Sequence, residues 1–189
     1  LDKEREIIEA ARSLVSQFGL KKVTIDDIAR KARISKATIY KYFKNKTEIF
    51  DEVVSYEARE LLTAVQAAAA TETTAVGKFK AHLLTRMERI RQLLTFYRVS
   101  EETWGDFWPH LVRLKEWFLD EETAIIRRIM QEGIDHGELK IERLDLCAHI
   151  TCATLHTIEL PWALEAHGIN ASDYADMMIG MLYHGIRRR

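Results

Sequence analysis

At 189 residues, with 47% hydrophobic and 30% charged content and a formal net charge of −1, the chain has room for a small domain joined to a larger one and material for a real core. No apolar run approaches the roughly 18 residues of a membrane span, and no charged-apolar-small leader opens the sequence, so a cytoplasmic location is expected. The near-neutral total hides an asymmetry: through residue 50 there are 12 Lys+Arg against 7 Asp+Glu, and beyond it 16 against 22.

With 2 prolines, 8 glycines and few β-branched alternations, the pattern is helical from end to end and predicts an all-α protein of about nine helices. The first helix is expected from Asp2 to Phe18, with Ile7, Ile8, Ala11, Leu14, Val15 and Phe18 on one face and Gly19 as its terminator. Thr24 stands where an N-cap hydroxyl would accept a backbone N–H, and Asp27 three residues on can answer it, so a second helix begins near Ile25. Ser35 supplies another N-cap before Lys36-Ala37-Thr38, giving two short helices joined by a tight turn. Between residues 21 and 46 there are 9 basic and 2 acidic side chains, the balance a surface facing phosphates requires.

A long helix follows over 46 to 70, broken at Thr71 to Thr74, then another from Ala75 to Val99. Ser100 caps a segment that Gly105 and Pro109 disturb, predicting a short helix and a bend before a helix from His110 to Asp135. The last pieces run from Arg143 to Leu160, where Pro161 must kink or end the helix, and from Ala171 to Arg187. Cys147 and Cys152 lie on poorly aligned faces of one helix and are not expected to pair.

The residues Ala11, Leu14, Phe18-Gly19, Val23-Thr24, Ile28-Ala29, Ala32, Ser35, Thr38-Ile39-Tyr40, Tyr42-Phe43, Lys46 and Ile49-Phe50 resemble the N-terminal signature of the TetR family of transcriptional regulators. Beyond them the chain resembles that family only in helix order, including Gly133 to Leu139 between two long helices. The resemblance implies a helix-turn-helix DNA-binding domain over 1–46 and a ligand-binding and dimerisation domain over 47–189. It further implies a homodimer on a near-palindromic double-stranded DNA operator, acting as a repressor that a small hydrophobic effector releases.

By position, Ser35 to Tyr42 is the reading segment, with Lys36, Ala37 and Thr38 facing base edges. Thr24, Lys41, Tyr42 and Lys46 are placed for phosphate. Tyr40 is open between core and DNA, and Phe43 turns back onto the first helix. Arg33 stands where the family often has Gly: in a left-handed turn it costs on the order of 1 kcal/mol, unless the turn differs or Arg33 reaches a phosphate.

In the second domain, Tyr97, Trp104, Phe107, Trp108, Trp117 and Trp162 are the aromatic candidates for effector contact. His149, Cys152 and His156, with Glu159 behind them, share one helical stripe and join that candidate set. The i to i+7 distance of about 10 Å on one helix is too long to chelate an ion unaided, so no metal is expected. The last helix, with Tyr174, Met177, Met178 and Met181 beside Gly180 and Gly185, should meet its twin. No His-Glu-x-x-His motif, Gly-rich phosphate loop or nucleophile pattern occurs, so neither cofactor nor catalytic residue is expected. The other reading the sequence leaves open is a helical small-molecule-binding protein or enzyme whose basic head meets an acidic protein partner.

Overall fold

In the computed structural model the described residues are 3–164 and 171–186, without the side chains of 101, 157–164 and 182–186. They form an all-α chain of eight helices: α1 Lys3–Phe18, α2 Ile25–Ala32, α3 Lys36–Tyr42, α4 Lys46–Ala70, α5 Ala75–Phe96, α6 Glu101–Asp135, α7 Leu144–Leu164 and α8 Ala171–Ile186. The expected helix count falls by one because the short helix and bend near Gly105 and Pro109 are a single α6. Pro109 lacks the N–H that would bond the carbonyl of Gly105, and its ring crowds that carbonyl. Both residues are exposed, so water can take the freed carbonyl. Pro161 likewise does not end α7, whose backbone continues to Leu164.

The chain divides into two units, Leu1–Arg59 with Leu93–Glu116, and Glu60–Gln92 with Trp117–Arg189. The expected boundary after residue 46 therefore does not coincide with them: the first unit keeps the start of α4 and takes in the end of α5 and the first half of α6.

In the first unit α1 buries Ile7, Ile8, Ala11, Leu14 and Val15 as its spacing requires. Phe18, eleven residues on from Ile7 and on the same stripe, is 56% exposed: it stands at the last helical position, outside the buried cluster. Gly19 then turns at φ +82°, a conformation that favours a residue without Cβ, and its N–H closes on Val15 O at 2.8 Å. Against α1 pack Val23, Ile28, Ala29, Ile39, Phe43, Ile49, Phe50 and Val53, joined by Tyr97 and Phe107. Ile7, Ile28, Ile39 and Ile49 are wholly buried, each contributing roughly 1.5–3 kcal/mol against exposure.

The second unit centres on Leu61, Leu62, Val65, Phe79, Leu83, Met87, Ile125, Ile126, Ile129, Met130, Ala148, Cys152 and Leu155. At Gly133 the packing leaves no room for a side chain, since a Cβ there would lie 2.7 Å from both Ala75 Cβ and Leu139 Cδ1. Next to that contact the first N–H of α5, on Ala75, donates to Glu138 Oε2 at 2.8 Å, so a distant carboxylate satisfies an amide at the helix start.

Candidate nucleic-acid interface

The turn between α2 and α3 is built from local hydrogen bonds. Thr24 Oγ1 accepts the Asp27 N–H at 3.2 Å and donates to Asp27 Oδ2 at 2.6 Å, while the Thr24 N–H returns to that carboxylate at 3.1 Å. These bonds hold the Asp27 carboxyl below its ordinary value, and Arg30 pairs with its other oxygen. At the far end of α2, Arg33 adopts φ 56°, ψ 43°, with its N–H on Arg30 O and the Ile34 N–H on Ala29 O. That is a Schellman closure with Arg where Gly is usual, so the left-handed turn anticipated for Arg33 is kept, strain included.

Ser35 caps α3, its Oγ accepting the Thr38 N–H at 3.0 Å and lying 2.9 Å from Thr38 Oγ1. Ile39 is the single buried residue of α3. Lys36, Ala37, Tyr40, Lys41 and Tyr42 are exposed, as is Arg33 beside them, and Thr38 is half-buried. Tyr40, 55% exposed, is no part of the core, whereas Phe43 is buried against α1 as expected.

Three side chains anticipated to touch DNA already have work in the head. The Thr24 hydroxyl proton is held by Asp27. Lys36 Nζ lies 2.6 Å from Asp26 Oδ1, an exposed pair worth at most about 1 kcal/mol that a base or phosphate can displace. Lys46, at the start of α4, donates to Lys21 O at 3.1 Å with its ammonium 5.2 Å over the Phe50 ring, and burial lowers its pKa. Its amine braces the loop before α2.

Sequence reasoning missed the polar contacts that bind α4 to the rest of this unit. Arg12 Nε and Tyr97 Oη both donate to Glu57 Oε1, the former at 2.7 Å. His110 and Arg113 meet Asp51 at 2.6 and 2.9 Å. These partners lie 40 to 62 residues apart, so no local pattern reveals them.

The anticipated effector-contacting set does not gather. Tyr97 and Phe107 belong to the core around α1, their rings 6.1 Å apart, because the end of α5 and the start of α6 are built into the first unit. Trp104 and Trp108 pair at 5.9 Å in that same unit, Trp108 half exposed. Trp117 falls in the second unit and is 39% exposed. His149 points out to solvent. The side chains of Trp162 and Glu159 lie outside the described residues.

Cys152 and His156 do meet, on Glu122, a residue the sequence reading passed over. Its carboxylate, wholly buried, takes His82 Nε2 at 3.0 Å, Arg86 at 2.9 Å and His156 Nε2 at 2.6 Å, with Cys152 Sγ at 3.7 Å. Burial opposes its ionisation, but the Arg86 charge and the hydrogen bonds from His156 and His82 outweigh it and hold the carboxyl well below its ordinary range. Burial and the Glu122 charge push the Cys152 thiol up to about 12. One clue was available: Glu122 stands on the stripe of Phe118, Ile125, Ile126 and Ile129, where a charge is out of place.

A capped two-helix unit with an exposed basic second helix is the helix-turn-helix of DNA-binding proteins. Residues 7–53 match the family of bacterial regulatory proteins described as tetR. Over 176 residues the chain is 30% identical to the HTH-type transcriptional regulator BetI of Cronobacter sakazakii (strain ATCC BAA-894), covering 89% of this chain and 83% of that one. The chain belongs to the TetR family of transcriptional regulators. A shorter match, 40% identical over 53 residues, joins it to the probable acrEF/envCD operon repressor of Escherichia coli (strain K12), covering 28% of this chain and 24% of that one. Relatives matched at 40% identity and above are spanned over only 24% to 32% of their own length. A TetR-family regulator structure from Mesorhizobium loti superposes with a TM-score of 0.77 at 22% identity, over 98% of this chain and 97% of that one, which shows a shared fold.

Proposed function

We propose that this chain is a cytoplasmic, ligand-released repressor that binds a near-palindromic operator as a homodimer, residues 1–46 reading DNA and 47–189 carrying effector and dimer contacts. The observation that carries the reading is α3: one buried residue fixes it, and its remaining surface offers Lys36, Ala37, Tyr40, Lys41 and Tyr42 outward. A helix so mounted can enter a major groove without disturbing the core, and two copies about 34 Å apart match successive turns of one DNA face. Lys36 and the Ala37 and Thr38 methyls then meet base edges, while Tyr42, Lys41 and Arg33 set register on phosphates.

Dimerisation is supported by apolar side chains left open at helical spacing in the second unit: Met177 and Met181, 68% and 71% exposed on α8, and Leu146 and Ile150, 40% and 54% exposed on α7. A small hydrophobic effector that binds better to a conformer with wrongly spaced heads would release the operator. Repression is also what the E. coli relative's name states of that protein. No helix among the described residues is long and apolar enough to cross a membrane, in keeping with a regulator that works on DNA.

The test is operator selection from random duplexes by the purified chain, followed by anisotropy titration over a salt series. Lys36→Glu with Lys41→Glu should abolish specific binding and flatten the log–log salt slope by about 0.9 for each phosphate no longer neutralised. Affinity and slope unchanged in that variant would refute the assignment of α3 as the reader.

A further inference from the structure

We propose that Glu122, Cys152 and His156 form a binding site for a borderline-soft divalent transition-metal ion of the zinc or cobalt kind. The site is independent of the operator reading and stands or falls separately. Cys152 and His156 are one turn apart on α7 and face the same way, and α6 supplies the carboxylate that a single helix could not. One ligand atom from each of the three lies within 4.8 Å of the others.

A tetrahedral ion with bonds of about 2.0–2.3 Å needs its ligand atoms roughly 3.3–3.6 Å apart. Cys152 Sγ is 3.7 Å from Glu122 Oε2, close to that spacing. His156 Nε2 and Oε2, at 2.6 Å, must part by less than about 1 Å to admit the ion between them. A thiolate and an imidazole beside one carboxylate select zinc-like ions over magnesium or calcium, which take oxygen.

The rest of the cluster orients the carboxylate. His82 is wholly buried and its Nδ1 has no partner among the described residues, so its proton belongs on Nε2, which donates to Glu122 Oε1 at 3.0 Å. With Oε1 engaged by His82 and Arg86 set across both oxygens, 2.9 Å from each, Oε2 is the oxygen turned to His156 and Cys152, the arrangement by which outer partners fix a metal ligand. The charges also suit a dication: Glu122 and a Cys152 thiolate against Arg86 leave one net negative charge for the ion to meet. Loading forms metal–sulfur, metal–nitrogen and metal–oxygen bonds. It releases the Cys152 thiol proton to solvent, and the proton shared by His156 Nε2 and Oε2 is replaced by one on Nδ1, so that the neutral imidazole ligates through Nε2. Three protein ligands leave a fourth position for water or another donor.

The experiment titrates cobalt(II) into the full chain after chelator treatment and dialysis. The expected result is a near-ultraviolet thiolate-to-cobalt charge-transfer band with the visible bands of a four-coordinate ion, saturating at one ion per chain, reversed by zinc and unaffected by magnesium. Cys152→Ser should lose the charge-transfer band, His156→Gln should weaken binding about 10-fold or more, and Cys147→Ser and His149→Ala should keep it. A folded wild-type chain that shows no such band in excess cobalt overturns the proposal, as does a band that survives in Cys152→Ser. Should Cys152→Ser fail to fold, Cys147→Ser and His156→Gln decide: the band kept in the first and weakened in the second supports the site, and the reverse overturns it.

Discussion

The head around α2 and α3 and the core of the second unit use charge in opposite ways. Around α2 and α3 the charged and polar side chains sit near solvent and shape turns: Asp27 completes the Thr24 cap, Lys36 leans on Asp26, and Lys46 braces a loop. In the second unit Glu122 lies wholly inside an apolar cluster, with Arg86 and two histidines brought to it from other helices. Charges of the first kind are individually weak and exchangeable, which suits a surface that must trade its own ion pairs for phosphates. Those of the second kind are costly to remove singly, because the buried charge that remains loses its counter-charge.

The largest expected effect tests that contrast directly. Glu122→Ala removes the carboxylate that meets the buried Arg86 guanidinium and should cost about 3–5 kcal/mol in denaturant unfolding, while Lys36→Ala, at an exposed pair, should cost at most about 1. A loss at Glu122 no greater than that at Lys36 would erase the distinction. Acid sharpens it further. A carboxyl held well below its ordinary value of 4.5 contributes stability that is full above that value and is lost as pH falls through the lower folded value. The wild-type chain should therefore lose more stability on acidification than Glu122→Ala, as equilibrium unfolding across a pH series would show.

Next in size is Gly133→Ala, whose added methyl meets Ala75 and Leu139 at 2.7 Å in the second unit. Overpacking there should cost about 1–3 kcal/mol, read as a lowered midpoint of thermal unfolding. Thr24→Ala removes one cap and should cost the first unit about 1 kcal/mol. The smallest effect is at Arg33: glycine at φ 56° removes left-handed strain and should stabilise by up to about 1 kcal/mol. Operator affinity would fall in the same variant if the guanidinium reaches a phosphate, and a gain in stability with affinity unchanged would confine Arg33 to the turn.

The same contrast explains what could be read from the sequence. Thr24 with Asp27, Ser35 with Thr38, and Arg33 at the left-handed turn are contacts over three or fewer residues, so the residue order itself displays them and the head was legible down to its caps. The helical character of the rest was equally plain from its apolar periodicity. What periodicity cannot show is which helix a side chain meets. Tyr97 and Phe107 looked like lining for an effector cavity, but they complete the core around α1, and Tyr97 is anchored there by a bond to Glu57 that spans 40 residues. Pro109 looked like a break, because sequence does not reveal that Gly105, whose carbonyl it leaves without that bond, is exposed. Glu122 lies in the acidic run from Asp120 and drew no reading from the sequence, although its place on an apolar stripe marks it as different.

The proline within α6 has a consequence for how this helix comes apart. A 35-residue helix with an unbroken ladder would open only as a whole or from its ends. With the rung from residue 109 missing, the amides on either side of it are separately cooperative, and deuterium uptake should divide α6 into a faster and a slower stretch while its axis stays continuous.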